Sequence, residues 1–253
     1  MIINENKISV LQNFKEVDKR PWPHIMIENA LPQDIHDELL STLPDKRLNQ
    51  GQPKDKHGKL TWLIYEIIPE QYPVSNIWKE FIDFHTSREF FDQVLDIFSP
   101  WTEKLPVPKE DIILTDRTVG ATPKDNCYTE LGFVKHPPVN NISSRTPHTD
   151  NEKEIYAGLL YLKYPEDKST GGGFALHEPN KLRMNIKREY VSPGPIIKVC
   201  PYESNNFVMF FNNKNTQHSV EPRQGAVHPR WSINMFGQYA GNRVWKHTPV
   251  EWL

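Results

Sequence analysis

From about residue 110 onward the chain is cut into short apolar runs, each closed by turn-forming residues, and few architectures accommodate that texture. The runs are IYAGLLYLKY (155–164), GFALHE (173–178), GPIIKVC (194–200), NFVMFFN (206–212) and RWSINMFGQY (230–239). Between them, YPEDKSTGGG, CPYESNN and EPRQGAVHP supply the Pro, Gly, Asn and Asp that tight turns need. Short strands punctuated in this way predict an antiparallel sandwich or barrel.

The first hundred residues read differently. Leu31-Pro32-Gln33-Asp34 opens IHDELLSTL, where Ile35, Leu39, Leu40 and Leu43 recur at helical spacing until Pro44 stops the run. Residues 76–82 and 88–98 again place aromatic and aliphatic side chains three and four apart, which predicts core-facing helices. Residues 46–60, rich in Lys, Asp, Gln and Gly, predict a surface loop. The expected fold class is α+β and mainly β, with helix-rich support over residues 1–110 and a β core over 111–253. At 253 residues without repeats or an obvious linker, residues 1–253 are expected to form one domain.

Bulk chemistry excludes several functions. A composition 37% hydrophobic and 25% charged builds a core rather than a disordered chain. A formal net charge of −2 gives no bulk electrostatic reason to seek nucleic acid or an anionic membrane, so neither is expected as a partner. Cys127 and Cys200 cannot make a disulfide framework and form no CxxC pair, which fits a reducing compartment. The opening MIINENKISVLQNFKEVDKRPWPH lacks a continuous apolar stretch, so neither a signal peptide nor a membrane span is expected and the reading is cytoplasmic.

The chemistry is carried by Arg145-Thr146-Pro147-His148-Thr149-Asp150. In extended backbone, residues two apart point the same way, so His148 and Asp150 face one site together. An imidazole nitrogen and a carboxylate oxygen fill two corners of a metal's coordination sphere. His218, directly after the apolar run FVMFF, is the best third ligand. Two histidines and one carboxylate make the facial arrangement that leaves three positions open on iron(II), whereas a closed four-ligand zinc site leaves none. A lone His-x-Asp triplet is a weak signal. Arg230, twelve positions after His218, strengthens it: it heads an alternating run in which Arg230 and Ser232 share a strand face. A guanidinium fork meets a carboxylate in bidentate fashion, and a hydroxyl adds one bond. Alone, Arg230 reads equally well as a surface ion-pair residue.

The series His148-x-Asp150, Tyr161-Leu162, Gly171-Gly172-Gly173, His218-x-Val220 and Arg230-x-Ser232 resembles the 2-oxoglutarate and iron(II)-dependent oxygenases, especially the prolyl-hydroxylase-like branch. The motifs match over residues 145–236, and the opening Trp22-Pro23-His24 through Leu31-Pro32 is similar as well. The resemblance implies a double-stranded β-helix (jelly-roll) core with N-terminal supporting helices. It implies iron(II) held by His148, Asp150 and His218, with 2-oxoglutarate anchored by Arg230, Tyr161 and Ser232. It further implies O2 as oxidant, ascorbate as an added reductant, and release of succinate and CO2. Because Asp150 is a carboxylate rather than the small residue of halogenating members, the resemblance favours hydroxylation. The partner is then a small molecule or a peptidyl side chain, with Arg145 as a substrate contact.

Other readings stand beside this one. Tyr161 also reads as a core strand aromatic, and the glycine triplet as a tight turn. His177 is a competing ligand or substrate contact, while His24, His36, His57, His85, His136, His228 and His247 need no functional role. Residues 126–141 are expected to form a flap over the site mouth. Two further classes remain: a non-catalytic cupin-like jelly-roll module that binds a ligand, and a zinc enzyme on the same barrel. The prime substrate and the oligomeric state are open, since fold-level analogy does not choose between them.

Overall fold

The structure is a computed structural model, and it describes residues 7–44, 60–63, 74–115, 126–179 and 193–245. The loop expected over 46–60 lies outside the described residues except at Leu60. The helices form where the apolar spacing places them: α1 (Gln33–Ser41), α2 (Asn76–His85), α3 (Arg88–Ile97) and the single turn α4 (Ser99–Thr102). Ser87 starts α3, its hydroxyl accepting the Phe90 amide at 3.2 Å and satisfying one of the donors a helix leaves free at its start. Trp78, Phe81, Phe90, Phe91, Val94 and Leu95 on α2 and α3 are fully buried. Each such side chain contributes roughly 1.5–3 kcal/mol by leaving water.

The strands are β1 (His24–Ile27), β2 (Leu60–Leu63), β3 (Ile113–Leu114), β4 (Asn126–His136), β5 (Glu154–Tyr161), β6 (Phe174–His177), β7 (Ile196–Cys200), β8 (Phe207–Phe211), β9 (His218–Val220) and β10 (Arg230–Tyr239). They make two sheets. The larger runs β1-β8-β5-β10-β4-β2 with β3 beside β4, and the smaller runs β7-β6-β9. Every described pairing is antiparallel except β3 with β4. The described chain is thus mainly β with a few helices, and no described helix is long and apolar enough to cross a membrane.

Residues 126–136 are not a flap. They form β4, paired to β10 from Arg230↔His136 to Tyr239↔Cys127 and to β2 on its other side. Cys127, Leu131 and Phe133 are fully buried, and the core they join leaves this segment no freedom to open. Pro137 and Pro138, which suggested a loop, only follow its end.

The period-two alternation of the large sheet divides its side chains between two cores. Met209 on β8, Leu160 on β5 and Trp231, Ile233 and Met235 on β10 pack against the helices. Val208 and Phe210, Ala157 and Tyr161 point the other way, into a smaller cluster with Trp22, Phe174, Leu176 and Tyr202 between the sheets. Since Trp231, Ile233 and Met235 face the helices, Arg230, Ser232 and Asn234 face the small sheet. Neither cysteine is in a disulfide and both are buried, Cys127 in the helix-side core and Cys200 in the inter-sheet cluster.

Candidate functional site

His148 and His218 are brought together by the backbone itself. Each amide donates to the other residue's carbonyl at 2.9 Å, a one-residue antiparallel bridge that adds the segment before β5 to β9. Asp150, two residues on, turns to the same side as His148. Its Oδ1 lies 3.6 Å from Nε2 of His148 and 3.6 Å from Nε2 of His218, and one donor atom from each residue falls within 4.8 Å of the others.

The ring orientations are fixed by the chain just before each histidine. Nδ1 of His148 donates to the Thr146 carbonyl at 2.7 Å, and Nδ1 of His218 donates to the Thr216 carbonyl at 2.8 Å. Both bonds place the proton on Nδ1 and leave the Nε2 lone pair toward Asp150, the tautomer that metal-binding histidines adopt. Phe174 stacks on His218 with ring centroids 4.7 Å apart, and Phe210 lies 5.1 Å from it. Burial, together with the neighbouring His218, pushes the His148 imidazole down to about 4, so it is neutral at physiological pH. Burial raises the Asp150 carboxyl, but the adjacent His218 and His148 outweigh it and hold the acid well below the usual carboxylate range. Two imidazole nitrogens and one carboxylate oxygen are the donor set that suits a divalent metal of borderline softness, and iron(II) fits it.

Arg230 lies on the inter-sheet face of β10, only 1% exposed. Its Nε donates to the Gly172 carbonyl at 2.8 Å and its Nη2 to the Tyr161 hydroxyl at 3.1 Å. No carboxylate among the described residues pairs with it, a costly state for a buried cation. Gly171 and Gly172 hold φ of +71° and +81°, and a Cβ on Gly171 would stand 2.1 Å from the Pro222 carbonyl oxygen. The left-handed backbone at Gly171 and Gly172 therefore needs glycine, and it also presents the carbonyl that aims Arg230. Tyr161 is fully buried, and burial raises its phenol, so it keeps a proton to donate while its oxygen accepts from Arg230.

Of the remaining candidates, Ser232 shares the face of Arg230, but its hydroxyl donates to Asn234 Oδ1 at 2.8 Å. Arg145 is exposed, with Nε 3.0 Å from Nε2 of His148. His177 stays out of the metal cluster, its ring nitrogens meeting the Ser219 hydroxyl at 2.8 Å and the Gly194 carbonyl at 2.7 Å. Tyr202 was missed. The guanidinium of Arg230 lies over its ring at 5.4 Å, that of Arg223 at 5.3 Å and the ammonium of Lys163 at 5.5 Å, while Tyr161 meets it edge-on at 5.3 Å. Its ring fixes the guanidinium through cation–π contact. Lying in the turn segment CPYESNN, it shows no periodicity that would have singled it out.

The sequence profile described as the 2OG-Fe(II) oxygenase superfamily matches residues 129–238. No curated protein matches the sequence. Among solved structures, a prolyl 4-hydroxylase from Phytophthora capsici is similar at 14% identity, with a TM-score of 0.53 over 93% of this chain and 64% of that one. The non-haem alpha-ketoglutarate-dependent epimerase SnoN from nogalamycin biosynthesis is similar at 10% identity, with a TM-score of 0.50 over 85% of this chain and 78% of that one. At these identities the structural likeness is one of fold. The stretch that contains the His148, Asp150 and His218 cluster, Tyr161 and Arg230 thus matches the profile of the 2OG-Fe(II) oxygenase superfamily, a family whose chemistry uses Fe(II), 2-oxoglutarate and O2.

Proposed function

We propose that this protein is an Fe(II)- and 2-oxoglutarate-dependent hydroxylase acting on a C–H bond of a small molecule or a peptidyl side chain. One O2 and one 2-oxoglutarate are consumed per turnover, one oxygen atom entering the substrate as hydroxyl and the other the succinate released with CO2. The observation that carries the reading is the pairing of a two-histidine, one-carboxylate cluster with a buried arginine that no described carboxylate neutralises.

In this reading His148, Asp150 and His218 hold the iron through the two Nε2 atoms and an Asp150 oxygen. Arg230 receives the distal carboxylate of 2-oxoglutarate, which supplies the missing counter-charge, and the Tyr161 hydroxyl donates to the same group. Ser232 joins the anchor when its hydroxyl turns from Asn234. Bound iron supplies the oxidising chemistry, and the protein supplies position and shelter. Phe174 and Phe210 keep water from the back of His218. Apart from β1 and β2, the strands of the two sheets form the halves of a double-stranded β-helix over residues 111–253, and the helices of 1–110 brace its outer face within one oxygenase domain.

Anaerobic addition of Fe(II) and 2-oxoglutarate should produce a weak visible charge-transfer band that His148→Ala and Asp150→Ala abolish. A wild-type protein without the band refutes the assignment and favours a non-catalytic binding module. Succinate formation separates the iron reading from a zinc enzyme. A product heavier by one oxygen atom separates hydroxylation from epimerisation.

A further inference from the structure

The side chain of Arg145 lies exposed beside the His148, Asp150 and His218 cluster, and no described carboxylate pairs with it. Its backbone is tied down: the carbonyl accepts from the Val220 amide at 3.0 Å and from the Ser143 hydroxyl at 2.7 Å, so the residue is fixed to the end of β9. The guanidinium is exposed, and among the described residues its side-chain hydrogen bond is from Nε to Nε2 of His148. That lone pair is the one a metal would take. Arg145 and a metal therefore compete for one atom, and a bound metal must release Arg145 into the mouth of the site.

A charge count says what it meets there. Summed over the proposed site, the charges of iron(II), Asp150, Arg230 and the two carboxylates of 2-oxoglutarate cancel. Arg145 is left over as one positive charge beside the cluster, and no described carboxylate lies within ion-pair distance of it. A planar fork of donors next to a low-dielectric site is matched by a carboxylate. We infer that the prime substrate carries a carboxylate, and that Arg145, released from His148 when metal binds, takes that group and sets the substrate's orientation. The inference rests on the oxygenase reading and adds a substrate class to it.

The test uses binding rather than turnover. Anaerobic Fe(II)·2-oxoglutarate complexes of the wild type, Arg145→Gln and Arg145→Lys are titrated with free amino acids beside their carboxamides. Short peptides with an acidic side chain are titrated beside their Asn or Gln counterparts, and perturbation of the visible band is followed. Carboxylate members of one arm should perturb the wild-type band where their amides do not, and the arm that responds identifies the source of the carboxylate. Arg145→Gln should weaken that binding about tenfold to a hundredfold, as expected for loss of charge-assisted hydrogen bonds. Arg145→Lys should recover part of it. Mn(II) affinity, measured separately, should hold or rise in Arg145→Gln because a competitor for His148 is removed. Carboxylates that perform no better than amides overturn the inference. So does an Arg145→Gln protein in which 2-oxoglutarate affinity falls instead, which would make Arg145 a co-substrate anchor. If no band forms in any of the three proteins, the oxygenase reading fails and this inference with it.

Discussion

Arg230 is a buried cation kept without a described counter-charge, at a cost to stability. A guanidinium 1% exposed, held by a carbonyl and a phenol and by no described carboxylate, is desolvated without a counter-charge. Replacing it with methionine, of similar length and no charge, should leave the ligand-free protein as stable or raise it by about 1–2 kcal/mol in a urea melt. The same change should weaken 2-oxoglutarate binding on the order of a hundredfold or more, because two charge-assisted bonds disappear together. A large loss of stability would mean that Arg230 serves the core and not an anion. This residue was legible in the sequence because it heads an alternating strand after a histidine. Its aim was not, since it depends on a Gly172 carbonyl and a Tyr202 ring that no side-chain pattern announces. The same holds for Thr146 and Thr216, whose backbone carbonyls orient the ligand histidines and carry no residue-specific signal.

At the scale of elements, α2 ends on a histidine that belongs to the core. His85 is 1% exposed, its Nδ1 donates to the Phe81 carbonyl at 2.7 Å, and its Nε2 accepts the Val10 amide at 3.2 Å. Burial pushes its pKa down from 6.5 to about 3. Between those two values the unfolded chain binds a proton that the folded chain refuses. The contribution is therefore complete above 6.5 and is lost as pH falls toward about 3. His85→Phe, which keeps the ring among Phe81, Phe84 and Phe90, should lower stability at pH 7 and flatten the acid limb of the stability curve. An unchanged acid limb in denaturant titrations would exclude His85 as its source. The helices themselves were readable from apolar spacing, because one-sided burial imposes the period. β4 was not readable, because Gly132, Thr129 and Lys135 interrupt its alternation and it is held by cross-strand partners far away in sequence.

Across the whole molecule the candidate ligands join parts that are distant in sequence. His148 and Asp150 precede β5 in the large sheet, His218 begins β9 in the small one, and Arg230 ties β10 to the turn before β6. A metal and an anion bound there would link the two sheets only in the folded state. At a free concentration of about a hundred times Kd, ligand should stabilise folding by about 2.7 kcal/mol. Denaturant melts with Fe(II) or Mn(II) and 2-oxoglutarate should show this gain, and a chelator should reverse it. Equal stability with and without both ligands would argue against the site. The alternation along β10 has a consequence for how such a protein changes over generations. Odd-numbered Trp231, Ile233 and Met235 face the helices, and even-numbered Arg230, Ser232 and Asn234 face the small sheet. Point substitution on the inter-sheet face can alter the proposed co-substrate pocket while the opposite face keeps the fold. Insertion of one residue in this strand would exchange the two faces, so lineages that diverge in specificity should differ here by substitution and not by length.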